Sequence, residues 1–200
     1  MREAGVGRVL VASLHQGISD ILPTRLDFYE NWLNSEGLRE GTIGLAPLHA
    51  VLSFLRQEGE AYQLIVTRAG EYAAEWTVAS LPAVRRGMLR TAPTWLRARL
   101  LMGLARRLVR NSYQGSRAIV RLRRGTARID VRASIFCTVR EPAAAPLCGY
   151  YVAAFAKLME LFNLRSSTEV LACRGTGEST CLIKLAVLDG SADDRTPEAA

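Results

Sequence analysis

The stretch "STEVLACRGTGESTCLIKLAV", residues 167–187, reads as two strands around the polar, Gly-containing turn "RGTGEST". If the strands return side by side they form an antiparallel hairpin, with Cys173 and Cys181 facing each other across its base. Spacing leaves the chemistry of this pair open. C-x7-C is not the C-x2-C of a metal knuckle, and buried cysteines are ordinary small hydrophobes. A metal clip, a redox pair, a disulfide and two buried thiols all remain as readings.

Working outward, residues 147–163 read as a helix with Tyr151, Phe155, Leu158 and Phe162 on one apolar face. Before it come two further strands, "RAIVRLRR" and "ARIDVRASIFCTVR", joined by "RGTA" as a hairpin turn. Pro93 opens a strong helix over 94–111. Leu100, Leu101, Leu104 and Leu108 line one face, and Arg99, Arg106, Arg107 and Arg110 cover the opposite side. Arg97 falls inside the leucine stripe, where it either snorkels or meets an anionic group in a pocket. "AYQLIVTRAG" reads as a strand, Tyr62 to Arg68, followed by a short helix through "EYAAEWTVAS". Further helices are expected over 7–22, 24–34 and "PLHAVLSFLRQ", with Gly59 as a stop. His49 lies off the apolar stripe of that last helix and reads as a surface group. The resulting order predicts an α/β (α+β) layer architecture, with an antiparallel sheet packed against helices.

The chain has 200 residues, 49% of them hydrophobic, enough for one sizeable core. Arg8 interrupts the apolar N-terminal run, so an amphipathic helix explains it better than a signal peptide. No stretch reaches the roughly 18 apolar residues of a membrane span. A cytoplasmic location follows as the expectation, with structural disulfides disfavoured there. The tail 189–200 has a disordered composition. Arginines dominate the positive charge, and fourteen of them lie between Arg85 and Arg132 against a single acid, Asp130. Solvated faces are the ordinary reading of such a run, although it can attract an acidic partner. Nucleic acid is disfavoured because, Tyr113 apart, aromatics are not interleaved with it.

The block "LCGYYVAAFAKLMELFNLRSSTEVLACRGTGESTC" resembles the C-terminal signature of 4-vinyl reductase domains. In that family a cysteine opens a helix, a second ends a strand, and a third follows a Gly-containing turn. "AGEYAAEW", "LRTAPTWLRARLLMGLARRL" and "SYQGSRAIV" are similar to the family's more variable middle. The likeness covers about residues 60–188. It implies a TRAPP-like ligand-binding fold, often dimeric, for the domain proper over 46–188, and it leaves the N-terminal helical segment over 1–45 unanchored. It also implies zinc, held in metal-binding members by three cysteines and a glutamate beside an apolar pocket. Cys148, Cys173 and Cys181 match the cysteine positions. Val170 stands where the glutamate belongs, which leaves Glu169, Glu178 and Cys137 as candidates for the fourth ligand.

The expectation is therefore a non-catalytic sensor or carrier for an apolar or aromatic small molecule, zinc-containing in the family's manner, homodimeric, and acting through a separate signalling or biosynthetic protein. Trp95, Arg97, Leu104, Phe136, Tyr151 and Phe155 are the candidate ligand-binding residues, set between the 94–111 helix and the sheet. The alternatives are a vinyl reductase or another protein of bacteriochlorophyll biosynthesis, and a tethering subunit. Against catalysis, no G-x-G-x-x-G follows a strand, iron–sulfur spacing is missing, and His15 and His49 are the only histidines.

Overall fold

The structure, a computed structural model, describes residues 5–33 and 44–188. Helix α1 (Arg8–Ile21) leads through a short 3-10 turn at Pro23–Arg25 into α2 (Leu26–Leu33). Then come α3 (Leu45–Gln57), α4 (Glu60–Ala79), α5 (Ala83–Thr91) and α6 (Thr94–Ser112). A hairpin of β1 (Arg117–Arg123) and β2 (Thr126–Arg132) precedes α7 (Gly149–Glu160), and β3 (Ser166–Ala172) and β4 (Leu182–Val187) close the fold. The four strands form one antiparallel sheet in the order β1-β2-β4-β3. This is the helix-on-antiparallel-sheet class that the sequence pattern implies.

The sheet's inner face is apolar because alternate residues of its central strands point one way. Ala127, Ile129 and Val131 of β2, with Ile183 and Leu185 of β4, are all buried. They join one continuous core with Leu10, Leu14 and Ile18 of α1 and with the interior of α4 and α7. The helices cross closely where side chains vanish. A Cβ on Gly70 of α4 would stand 2.2 Å from the Tyr150 carbonyl oxygen of α7, and one on Gly17 of α1 would stand 2.8 Å from that of Ile65.

One sequence expectation is overturned here. Tyr62 to Arg68 is not a strand; it is the first part of the 20-residue α4, which also absorbs "EYAAEWTVAS". Its β-branched and aromatic residues satisfy strand propensity locally. The burial of Tyr62, Ile65, Val66, Ala69, Gly70, Ala73 and Ala74, however, follows helical spacing. Packing on α1 and α7 decides the outcome over propensity. Helix α5 was not anticipated, because only Leu89 of its nine residues is buried and three of the nine are arginines. The β1–β2 turn is a residue-pair turn at Arg124 and Gly125, with φ of 47° and 73°, tighter than "RGTA" implied. Helix α7 begins two residues later and ends three earlier than expected. The end of the expected 24–34 helix and the tail from 189 lie outside the described residues.

Candidate functional site

Four chain segments meet at one end of the sheet, and each brings a cysteine. Cys137 ends a 3-10 turn (Ile135–Cys137) after β2, and Cys148 is the N-cap of α7. Cys173 follows β3, and Cys181 immediately precedes β4. The Sγ atoms of Cys137 and Cys148 lie 3.3 Å apart, those of Cys148 and Cys173 3.3 Å, and those of Cys137 and Cys173 3.5 Å. All four sulfurs fall within 4.8 Å of one another. None is in a disulfide, and the most exposed, Cys137, shows 7% of its surface.

The turn between β3 and β4 is built to aim sulfur inward. A second 3-10 turn at Arg174–Thr176 and a left-handed Gly177 (φ 94°) fold the chain back, and Thr176 and Glu178 donate their N–H groups to the Cys173 carbonyl. The Arg174 amide donates to the Cys181 sulfur at 3.4 Å, and the Leu147 amide donates to the Cys173 sulfur at 3.3 Å. The bond to Cys181 favours thiolate over thiol there. Leu147 lies directly on Gly175, where a Cβ would meet its side chain at 2.7 Å, and this contact pins the 142–148 loop to the turn.

Crowding four thiols sets their ionisation against each other. The Cys181 thiol is pulled well below its ordinary range, first by the Cys137 and Cys148 thiols that donate to it, then by the Arg174 amide and its charge. Cys148 is pushed up, first by Cys137 and then by Cys181 and burial. At Cys137 the Cys148 contact lowers the pKa, but Cys181 and burial outweigh it and the net direction is up. Among these three thiols, negative charge is favoured at Cys181 and opposed at Cys137 and Cys148. A bound cation would remove that opposition.

The structure brings Cys148, Cys173 and Cys181 together and places Cys137 fourth among them. Glu169 faces outward, bound to Lys184 at 3.2 Å, and Glu178 is exposed, so neither carboxylate joins the cluster. The proposed ligand-binding residues do not all converge. Leu104, Phe136, Tyr151 and Phe155 are core side chains, each at most 2% exposed. The rings of Phe136 and Tyr150 stack at 4.7 Å, while Tyr151 sits edge-on to both and near Phe155. Trp95 is 70% exposed and lines an open groove of about 550 Å³ with Leu122, Arg99 and Arg124. Arg97 uses its guanidinium on the carbonyls of Ala92 and Phe162, at 2.8 and 3.0 Å, tying the start of α6 to the end of α7.

Neither a family model nor a curated protein matches the sequence. Solved structures share the fold. An H-NOX (heme nitric oxide/oxygen-binding) protein variant from K. algicida, with unliganded Fe(II), aligns with a TM-score of 0.59 at 13% identity, over 92% of this chain and 98% of its own. An H-NOX protein from S. oneidensis in the Fe(II)NO state aligns with a TM-score of 0.55 at 11% identity, over 92% and 99%. The chain has the fold of these proteins.

The 4-vinyl reductase assignment is corrected accordingly. The residues that carried it form a local helix–strand–turn–strand unit, whereas the H-NOX likeness also takes in the N-terminal helices that the resemblance left unanchored. Zinc was the ion of that family and falls with it, since the structures sharing this fold are named for Fe(II) and clustered cysteines do not identify zinc. A haem does not fit the residues here either. It needs a broad slot with an axial donor, but the helix–sheet interior is filled by Phe136, Tyr150, Tyr151 and Phe155. His15, bonded to Glu30 at 2.6 Å, and His49 are both only part-buried.

Proposed function

We propose that this chain is a non-catalytic sensor domain of the cytoplasm, built on the H-NOX fold, whose input centre is the four-cysteine cluster holding one thiophilic transition-metal ion. The convergence of four sulfurs within 4.8 Å carries the reading. Ligands at the corners of a tetrahedron with bonds of about 2.3 Å stand about 3.8 Å apart, so the cluster has the dimensions of a single-ion site. Four protein ligands leave no open position, which favours structural or sensing use over catalysis. An ion there would join the segment after β2, the start of α7 and the β3–β4 turn, so its arrival or loss would reach both faces of the fold. The test is elemental analysis of protein purified without added metal, followed by titration of the reduced apoprotein. One equivalent of tightly held transition metal per chain is expected. Free titration of all four thiols by a thiol reagent in native protein, with no metal retained or taken up, would overturn the reading.

The groove beside Trp95 supports a second reading, that of a small-molecule site. Trp95 and Leu122 offer apolar area, while Arg99 and Arg124 stand at the rim, a combination suited to an apolar or aromatic acid. Quenching of Trp95 fluorescence by such a compound, lost in Arg124→Gln, is the expected signature.

A further inference from the structure

Helix α5 reverses the usual arrangement of a helix on a protein surface, which turns apolar side chains inward and charge outward. Of its nine residues only Leu89 is buried. At about 100° per residue, Gly87, Thr91, Val84 and Met88 fall in turn across the side opposite Leu89. The exposures agree, at 76% for Val84 and 67% for Met88. Arg85 and Arg90 flank this strip, one along each edge, and both are exposed. Arg86 turns back instead and donates to the Ala79 carbonyl at 3.0 Å, seating the start of the helix. The exposed apolar surface resumes in the first turn of α6 with Trp95, beside Arg99. A helix this short is marginal in water without packing. With one leucine as its seat among the described residues and an apolar outer strip, α5 calls for a cover.

We propose that α5 and the first turn of α6 form a face that docks on an anionic lipid surface. Val84, Met88 and Trp95 enter the boundary between headgroups and acyl chains, and Arg85, Arg90 and Arg99 meet the anionic headgroups. The charge decides the kind of cover. No acidic residue occurs between Glu75 and Asp130, a span that holds thirteen arginines, so the face suits an anionic partner. Its constitution is that of an interfacial helix: an apolar side, arginines along its edges, and a tryptophan whose amphipathic ring settles at headgroup level. Lipid is favoured over the groove of an acidic protein by the shape of the apolar part. Val84 and Met88 project from the surface and line no recess, which suits a deformable layer better than a fitted cleft. Arginines at the edges need only a field of negative charge there, with no matching pattern of acids. One short strip gives weak, reversible attachment, so both contributions are required. No residue of the cysteine cluster takes part, and the proposal is independent of the metal reading.

The test is sedimentation of the full chain with vesicles of equal parts phosphatidylcholine and phosphatidylglycerol, against vesicles of phosphatidylcholine alone. At low salt the chain should sediment with the mixed vesicles only, and added salt should release it. Its tryptophan emission should move to shorter wavelength on binding, a shift that Trp95→Phe removes. Val84→Ser combined with Met88→Ser should weaken partitioning at least about tenfold, since two apolar side chains no longer leave water. Arg85→Gln and Arg90→Gln should each weaken it about fivefold. All four positions are exposed, so the melting temperatures of these variants should match the native one. No sedimentation of the native chain with mixed vesicles would overturn the proposal, as would undiminished binding by the Val84→Ser, Met88→Ser double variant. Sedimentation with no change of emission would show a chain held by charge alone and overturn the insertion. A native dimer that the double variant converts to monomer would assign the strip to a second copy of the chain. Release from the vesicles by soluble polyglutamate, bound more tightly than lipid, would assign it to an acidic protein. Either result would overturn the lipid reading.

Discussion

The four cysteines and the fourteen arginines of residues 85–132 are the two concentrations of chemistry in this chain, and the fold treats them in opposite ways. The cysteines are scattered over 45 positions, from 137 to 181, yet their sulfurs meet within 4.8 Å. The arginines are contiguous in sequence but dispersed over α5, α6 and the outer face of the sheet, most of them exposed. Convergence of distant residues on a buried point needs the whole fold and has a local energetic cost, so it marks a site. Dispersal of nearby residues over solvent costs little, and a dense charge run in sequence need not become one surface feature.

Losing a cysteine should therefore matter most. Cys173→Ser removes one sulfur and the acceptor of the Leu147 amide. Affinity for Co(II), used as a probe ion, should fall at least about a hundredfold, since one of four ligands is lost. Chelator should lower the melting temperature of the native protein and leave that of the variant unchanged, because metal binding is part of the folding free energy. A native melting temperature indifferent to chelator would erase the contrast between the two regions.

Next in size is the aromatic core of Phe136, Tyr150, Tyr151 and Phe155. Phe155→Ala removes a fully buried ring packed beside Tyr151 and should cost about 3–5 kcal/mol in a denaturant titration. The cost should be the same with and without metal, as expected for a site that contributes packing alone. A loss below about 1 kcal/mol would mean that this interior relaxes freely, and would reopen it as a cavity for a ligand.

What the sequence disclosed follows the same division. Alternation of Ile129 and Val131 in "ARIDVRASIFCTVR" and the turn after Cys173 pointed to their hairpins, because a half-exposed antiparallel strand writes its two faces into the chain. The long α4 was hidden, since a helix buried against α1 and α7 has small and β-branched residues where a surface helix would show polar ones. At the centre, three cysteines were singled out by their places at element ends, and the fourth, Cys137, was only one of three candidates. Its position depends on the left-handed Ala133 (φ 53°) and the 3-10 turn that bend the chain after β2, and no local pattern announces that bend.

The smallest expected effect tests the arginine side of the comparison. Across the outer sheet face, Arg121 stands opposite Arg128, and Arg128 opposite Lys184. Like charges directly opposite on neighbouring strands are destabilising, by about 0.2–1 kcal/mol per pair. Glu169 relieves only the far end of this row, through Lys184. Arg128 is exposed, and the acid next along its strand face, Asp130, is bonded to Arg132, so Arg128→Thr deletes two repulsions and sets a β-branched residue on a central strand. Stability should rise by about 0.5 kcal/mol, near the lower end of what two such pairs supply in solvent. Raising the salt concentration should stabilise the native protein more than the variant, since screening already weakens the repulsion that the substitution removes. A clear loss of stability in Arg128→Thr at low salt would show that this guanidinium is held by an interaction the exposed sheet face does not reveal. The two regions would then differ in degree and not in kind.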